Sequence, residues 1–165
     1  MRSGPSLRGA VIQTGFAMYK HLLLATDGSE LAGKGVRHGI ALAKALNAKA
    51  SICFVTEFVT ALALVAPFDI SVSLSDAQIR AAADKAAKSV LDAACAMAAA
   101  NGVACSPIHV FDRPPADAIL DMAAKHACDL IVMSSHGRRG IPRILLGSQA
   151  FEVVTRATIP VLIVR

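Results

Sequence analysis

Asp129-Leu130-Ile131-Val132-Met133 leads directly into Ser134-Ser135-His136-Gly137-Arg138-Arg139-Gly140, and after Ile141 to Leu145 the chain continues Leu146-Gly147-Ser148-Gln149. The unbroken apolar run from Leu130 to Met133 marks a strand buried on both faces, as in a parallel sheet covered by helices. Small residues and glycines end it, and Gly147-Ser148 opens a helical stretch to about Thr155. A doubly buried strand, a glycine-bearing loop and a helix entrance make one unit of an α/β fold.

The rest of the chain alternates in the same way. Leu22 to Ala25 is a second continuous apolar run, broken by the turn residues Thr26-Asp27-Gly28-Ser29. Ser29 is a good N-cap, and Leu31, Val36, Ile40, Ala43 and Leu46 then recur at near-helical spacing, with Asn47 suited to the left-handed C′ position. Ala50 to Val55 reads as the next strand. Glu57 to Ser75 shows no clear periodicity, contains Pro67, and is expected to be an irregular connection with at most a short helical turn. Ser75-x-x-Gln78 is a capping box opening a long Ala-rich helix to about Asn101, which Gly102 stops. Val103 to Val110 is a strand whose Pro107 points to a sheet edge. Pro114-Pro115 starts a helix to His126, and Val161 to Val164 closes the chain as the last strand. The order β-α-β-α-β-α-β-α-β implies a single domain with an open, doubly wound parallel sheet and helices on both faces. Residues 1–17 stand apart as an N-terminal extension or leader (an upstream start or a cloning remnant would look the same), and residues 18–165 are the expected domain.

Composition narrows the function classes. The chain is 55% hydrophobic with one Tyr and no Trp, so Ala, Val, Leu and Ile must build the core. Of the net charge of +5, Arg2 and Arg8 supply two, leaving +3 on the domain. That balance lacks the concentrated basic face and stacking aromatics of a nucleic-acid binder. Ala61 to Phe68 is the longest conspicuous apolar run, well short of the ~18–20 residues of a spanning helix, so no membrane role is expected. Cys53, Cys95, Cys105 and Cys128 form no C-x-x-C pair and no Cys/His cluster with zinc spacing; three of the four sit in apolar segments as small hydrophobes, and a reducing cytoplasm is the simpler reading. His21, His38, His109 and His126 are scattered and read as surface or strand-end residues.

In an open doubly wound sheet, ligands lie outside the carboxyl ends of the strands where the winding reverses. The segments there are Thr26–Ser29, Val55–Glu57 and the loop after Met133. Glycine lets backbone N–H groups approach an anion, and a helix entrance adds unpaired donors and partial positive charge. The loop between Gly137 and Ser148 therefore has phosphate-cradle chemistry. Each residue also has a plainer reading: Asp27 as a turn cap, Ser148 as an N-cap, and Arg138, Arg139 and Arg143 as a solvated face. Neither a Walker A loop nor G-x-G-x-x-G is present, and G-x-S-x-G is absent too. His136 sits in what reads as an exposed loop with no nucleophile beside it, so no catalytic residue and no metal site are assigned.

Ser134-x-x-Gly137, nine residues, then Gly147-Ser148 resembles the G-x-x-G, nine residues, G-[S/T] motif of nucleotide-binding universal stress proteins. Ala25-Thr26-Asp27-Gly28-Ser29 is similar to the family's first-strand corner, and Asp129–Met133 and Ile159-Pro160-Val161-Leu162-Ile163-Val164 to its last two strands. The resemblance implies a five-stranded sheet in order 3-2-1-4-5, a homodimer through the C-terminal strand, and ATP or another adenine nucleotide as ligand, with magnesium a candidate companion. It implies Thr26 and Asp27 at the adenosine, Val55 offering its backbone to adenine, and Met133 and Ser134 lining base and ribose. Gly137, Arg138, Gly147, Ser148 and Gln149 are then left for the phosphates. Ser134 departs from the motif's glycine, and its Cβ would be strained if the backbone there had positive φ. The function implied is a cytoplasmic stress-response or signalling protein; the alternatives are an interaction dimer with an empty site and a slow ATPase.

Overall fold

The apolar runs do form strands, and α1 and α3 between them start at the caps that the sequence supplies. The computed structural model describes residues 18–65, 75–136 and 146–165. The expected extension, residues 1–17, and the loop residues 137–145 lie outside the described residues. The elements are β1 (His21–Thr26), α1 (Glu30–Leu46), β2 (Lys49–Thr56), α2 (Phe58–Val65), α3 (Asp76–Ala100), β3 (Cys105–Phe111), α4 (Pro115–Lys125), β4 (Leu130–Ser134), α5 (Ser148–Arg156) and β5 (Val161–Val164). All strand pairs are parallel, in the order β3-β2-β1-β4-β5.

Strand alternation sorts the core into two layers. Leu22, Leu24, Ile52, Phe54 and Val132 face α1 and α3, while Leu23, Ala25, Cys53, Ile131 and Met133 face α4 and α5. At the C-terminal edge, Leu162 and Val164 join the first layer and Val161 and Ile163 the second. α1 lies so close on β1 that a Cβ on Gly39 would collide with Leu24 Cδ2.

Local signals act as read. Ser29 Oγ accepts from Ala32 N–H at 3.1 Å, Asn47 holds the left-handed cap at φ 53°, and Ser75 and Gln78 form the capping box. Pro107 sits on the edge strand β3, paired only inward, to Ile52 of β2.

Two expectations need correction. Residues 58–65 form a helix rather than an irregular connection. Phe58-Val59-Thr60-Ala61-Leu62 is apolar nearly all round, so no polar face marks its period, yet Ala61 is fully buried against Ile79 and Ala83 of α3. The cysteines are not all free, because Cys95 and Cys105 are joined where α3 turns back into β3, with Cα atoms 5.5 Å apart. His21 is a strand-end residue as read, the first of β1, and is buried there with its Nε2 bonded to Ser51 Oγ at 2.9 Å, while His109 is half-buried within β3.

Candidate functional site

β1 is central in the order, and β2 and β4 leave it in opposite directions, so the winding reverses between β1 and β4. Two corners meet there. At the β1 end, Thr26 Oγ1 accepts from Gly28 N–H at 3.1 Å, and Asp27 Oδ1 accepts from Ser29 N–H at 3.0 Å. Gly28 takes φ 79°, which closes the turn and aims the first turn of α1 at the carboxyl edge of the sheet. Asp27 thus serves as the turn cap whether or not it also meets a ligand.

At the β4 end, Met133 and Ser134 are both 7% exposed. Ser134 is absent from the non-glycine residues with positive φ, which are Asn47, Asp112 and Ala127 among those described. Its Cβ is accommodated without backbone strain, and its Oγ donates to His136 O at 2.7 Å. Gly35 of α1 passes so near that a Cβ there would lie 3.3 Å from Ser134 N. The helix that leaves the first corner is therefore packed against the end of β4.

The helix entrance is built on Gly147. It is the N-cap of α5 at φ −66° and ψ 155°, and no side chain among the described residues caps the helix. Ser148 is the first helical residue and exposed, not the N-cap that its residue type suggested. The backbone at Gly147 is open to any residue, but space is not: its N–H donates to Ser135 O at 2.8 Å, and a Cβ would stand 3.0 Å from that oxygen. Among the described residues no side chain claims the N–H groups of the first turn of α5, and such groups suit an anion.

The remaining expected residues divide. Val55, half-buried, extends past the last β1 partner, which pairs Thr26 with Phe54, and keeps only Val110 beside it. Gln149 points elsewhere in part: its Oε1 accepts from Ala116 N–H at 3.0 Å and so caps α4, whose own N-cap is Pro114. Gly137 and Arg138 lie outside the described residues.

Some polar groups escaped the sequence reading. His136 is half-buried rather than exposed, with Nδ1 bonded to Ser135 Oγ at 3.1 Å and its buried Nε2 without a partner among the described residues. Thr56 Oγ1 meets His109 Nε2 at 3.2 Å, and His109 Nδ1 meets Asp84 Oδ1 at 3.0 Å. Burial pushes the His109 pKa down, against the opposing pull of Asp84. Thr56 is only 3% exposed, so its hydroxyl is closed to any substrate and the chain of bonds ties β2, β3 and α3 together. Nothing in the residue spacing signals this contact, which three separate elements create. Among the described residues no group of His, Cys, Asp or Glu could hold a metal ion, and no helix is long and apolar enough to cross a membrane.

Comparison with known proteins agrees with this architecture. The family model described as the universal stress protein family matches residues 18–165. A universal stress protein of Methanocaldococcus jannaschii is 33% identical over 158 residues, covering 94% of this chain and 88% of its own. A solved universal stress protein in complex with cAMP superposes at a TM-score of 0.66 with 25% identity, covering 90% of this chain and 98% of the other. One from Archaeoglobus fulgidus, in complex with dAMP, has the same fold at a TM-score of 0.61 and 20% identity, over 90% and 99% of the two chains. With a family model spanning the whole described fold and a relative this similar over nearly all of both chains, the protein belongs to the universal stress protein family.

Proposed function

We propose that this chain is a dimeric adenine-nucleotide-binding protein of stress response or signalling, with ATP as its ligand. The observation that carries the reading is the first turn of α5, uncapped by any side chain among the described residues and set against the end of β4 where the sheet reverses its winding. Backbone donors in that position suit phosphate oxygens. The relative solved with cAMP supports an adenine nucleotide in this fold. In this reading Gly137, Arg138, Gly147 and Ser148 surround the phosphates, with Gln149 contributing through its Nε2. Thr26, Asp27, Val55, Met133 and Ser134 meet the adenosine, and ATP brings magnesium held by its own phosphate oxygens. The functional unit is residues 18–165, working in the cytoplasm.

The dimer forms through β5. That strand lies at the edge of the sheet, and all four of its residues are only partly buried. Phe151 and Val154, one turn apart on the helix leading into it, are 63% and 45% exposed. An apolar edge invites pairing, and antiparallel pairing with its own copy closes after two subunits.

Mass spectrometry of small molecules released from the purified protein by mild denaturation tests the ligand. An adenine nucleotide at near-stoichiometric level is expected. No released nucleotide, with no heat on titrating ATP, ADP, AMP or cAMP, would overturn the proposal and leave an interaction dimer with an empty site. Light scattering at micromolar concentration tests the dimer, and a soluble monomer would refute pairing through β5.

A further inference from the structure

The four cysteines fall into two unlike pairs. Cys53 and Cys128 are buried, and burial pushes their thiols up to about 12 and about 11 respectively. Almost no thiolate exists there near neutral pH, so neither is a competent nucleophile. Cys95, near the end of α3, and Cys105, the first residue of β3, are both partly exposed and bonded to each other.

The corner that joins them does not depend on sulfur. Gly102 N–H donates to Ala99 O and Val103 N–H to Ala98 O, each at 2.9 Å. From Cys105 onward β3 runs in register with β2, Cys105 opposite Ala50 and Phe111 opposite Thr56. Cutting the bond leaves both cysteines on elements fixed by other means, so the sulfurs stay close enough to join again.

We propose that Cys95 and Cys105 form a reversible thiol–disulfide site oxidised by low-molecular-weight disulfides such as glutathione disulfide. One thiolate attacks a sulfur of the small disulfide, whose S–S bond breaks as a mixed disulfide forms and one small thiolate leaves. The second cysteine then attacks the protein sulfur of the mixed disulfide, closing Cys95–Cys105 and expelling the other small thiolate. The two expelled thiolates take up the two protons released by the cysteines. Two electrons pass from the protein dithiol to the small disulfide, and excess small thiol reverses every step. The oxidised form locks the end of α3 to the edge strand.

The test uses the full reduced chain in glutathione mixtures, from a large excess of thiol to a large excess of disulfide, followed by alkylation in denaturant and peptide mapping. Two of the four cysteines are expected to become protected, as a Cys95–Cys105 link that disappears when the mixture is returned to excess thiol. The oxidised form should melt roughly 5–10 °C higher than the reduced one. Four alkylated cysteines in every mixture, a Cys53–Cys128 link, or a Cys95–Cys105 link that survives excess thiol would each overturn the proposal. Cys95→Ser and Cys105→Ser each keep one thiol of the pair and should gain one glutathionyl group on it. No adduct on either variant would show the sulfurs closed to the reagent, which also refutes the site.

Discussion

Replacing Gly147 by Ala separates the two demands made on the entrance of α5. Its dihedrals, φ −66° and ψ 155°, are available to alanine, so the change carries no conformational penalty. The penalty is steric. The new Cβ would stand 3.0 Å from Ser135 O, the oxygen that accepts the Gly147 N–H at 2.8 Å, so easing the contact stretches the bond. Weakening one backbone hydrogen bond costs about 1 kcal/mol, and the crowded contact adds about 1 kcal/mol, the low end for overpacking. Lower freedom of the unfolded chain returns about 0.4–1 kcal/mol. The net loss of stability is therefore about 1 kcal/mol, readable as a lower urea midpoint at constant slope. Under the proposed function the same shift moves the donors of α5, and ATP affinity measured by calorimetry should fall about tenfold or more. Ser148→Ala sits on an exposed first-turn residue that makes no cap bond among the described residues. It should leave stability within about 0.5 kcal/mol and weaken ATP by about 1 kcal/mol, near fivefold. Gly147→Val should abolish binding and, because the clash is with the chain's own backbone, destabilise more than alanine does. Unchanged midpoint and affinity in Gly147→Ala would refute the steric argument. A lower midpoint with unchanged affinity would remove this corner from the ligand site.

Ser134→Gly should bind ATP at least as well as the parent while losing about 1 kcal/mol of stability with the Ser134–His136 hydrogen bond; a marked loss of affinity on calorimetry would make the serine itself a ligand contact. Gly39→Ala forces a methyl into Leu24, which is fully buried, and should destabilise by about 1–3 kcal/mol in urea despite alanine's better helix propensity; a more stable variant would refute the close packing of α1 on β1. Burial lowers the pKa of His21, with Lys49 adding to the effect, and of His109, both below the ordinary 6.5. The unfolded chain then binds protons more readily, so stability is full above about pH 6.5 and falls as pH drops toward the folded-state values, and His21→Phe should flatten that fall. Urea midpoints equal at pH 5 and pH 7 would refute it.

What the sequence revealed depended on how local each signal was. Ser29, Asn47 and the Ser75–Gln78 box act within one turn of chain, and each caps its helix as its residue type predicts. Pro107 marked the edge because a residue without an N–H is confined there. α2 was hidden because an apolar helix packed on α3 has no polar face to set a period. The Cys95–Cys105 bond, the His109–Asp84 contact and the His21–Ser51 contact were illegible for a different reason: each joins elements that only the folded sheet brings together. The site shows the same divide. The corners at Thr26–Ser29 and Gly147–Ser148 could be read from turn chemistry, while the use of Gln149 to cap α4 and the burial of His136 could not.

The two halves of the proposed function meet at one residue. Ser135 is 4% exposed and is held from both sides: its N–H donates to Val164 O at 2.9 Å, and its carbonyl accepts from Gly147 N–H at 2.8 Å. Val164 ends the strand proposed to pair across the dimer, and Gly147 opens the helix proposed to meet the phosphates. A ligand that shifts α5 acts on the Ser135 carbonyl, and a partner that shifts β5 acts on its amide, so neither moves without loading the other's hydrogen bond. Linkage then makes the effect reciprocal: a nucleotide that tightens the dimer must be bound more tightly by the dimer than by the monomer, by the same factor. Ser134, where the family motif has glycine, lies one residue before this junction and adds a bond from its Oγ to His136 O. The departure from the motif therefore stiffens the segment that both partners would have to move.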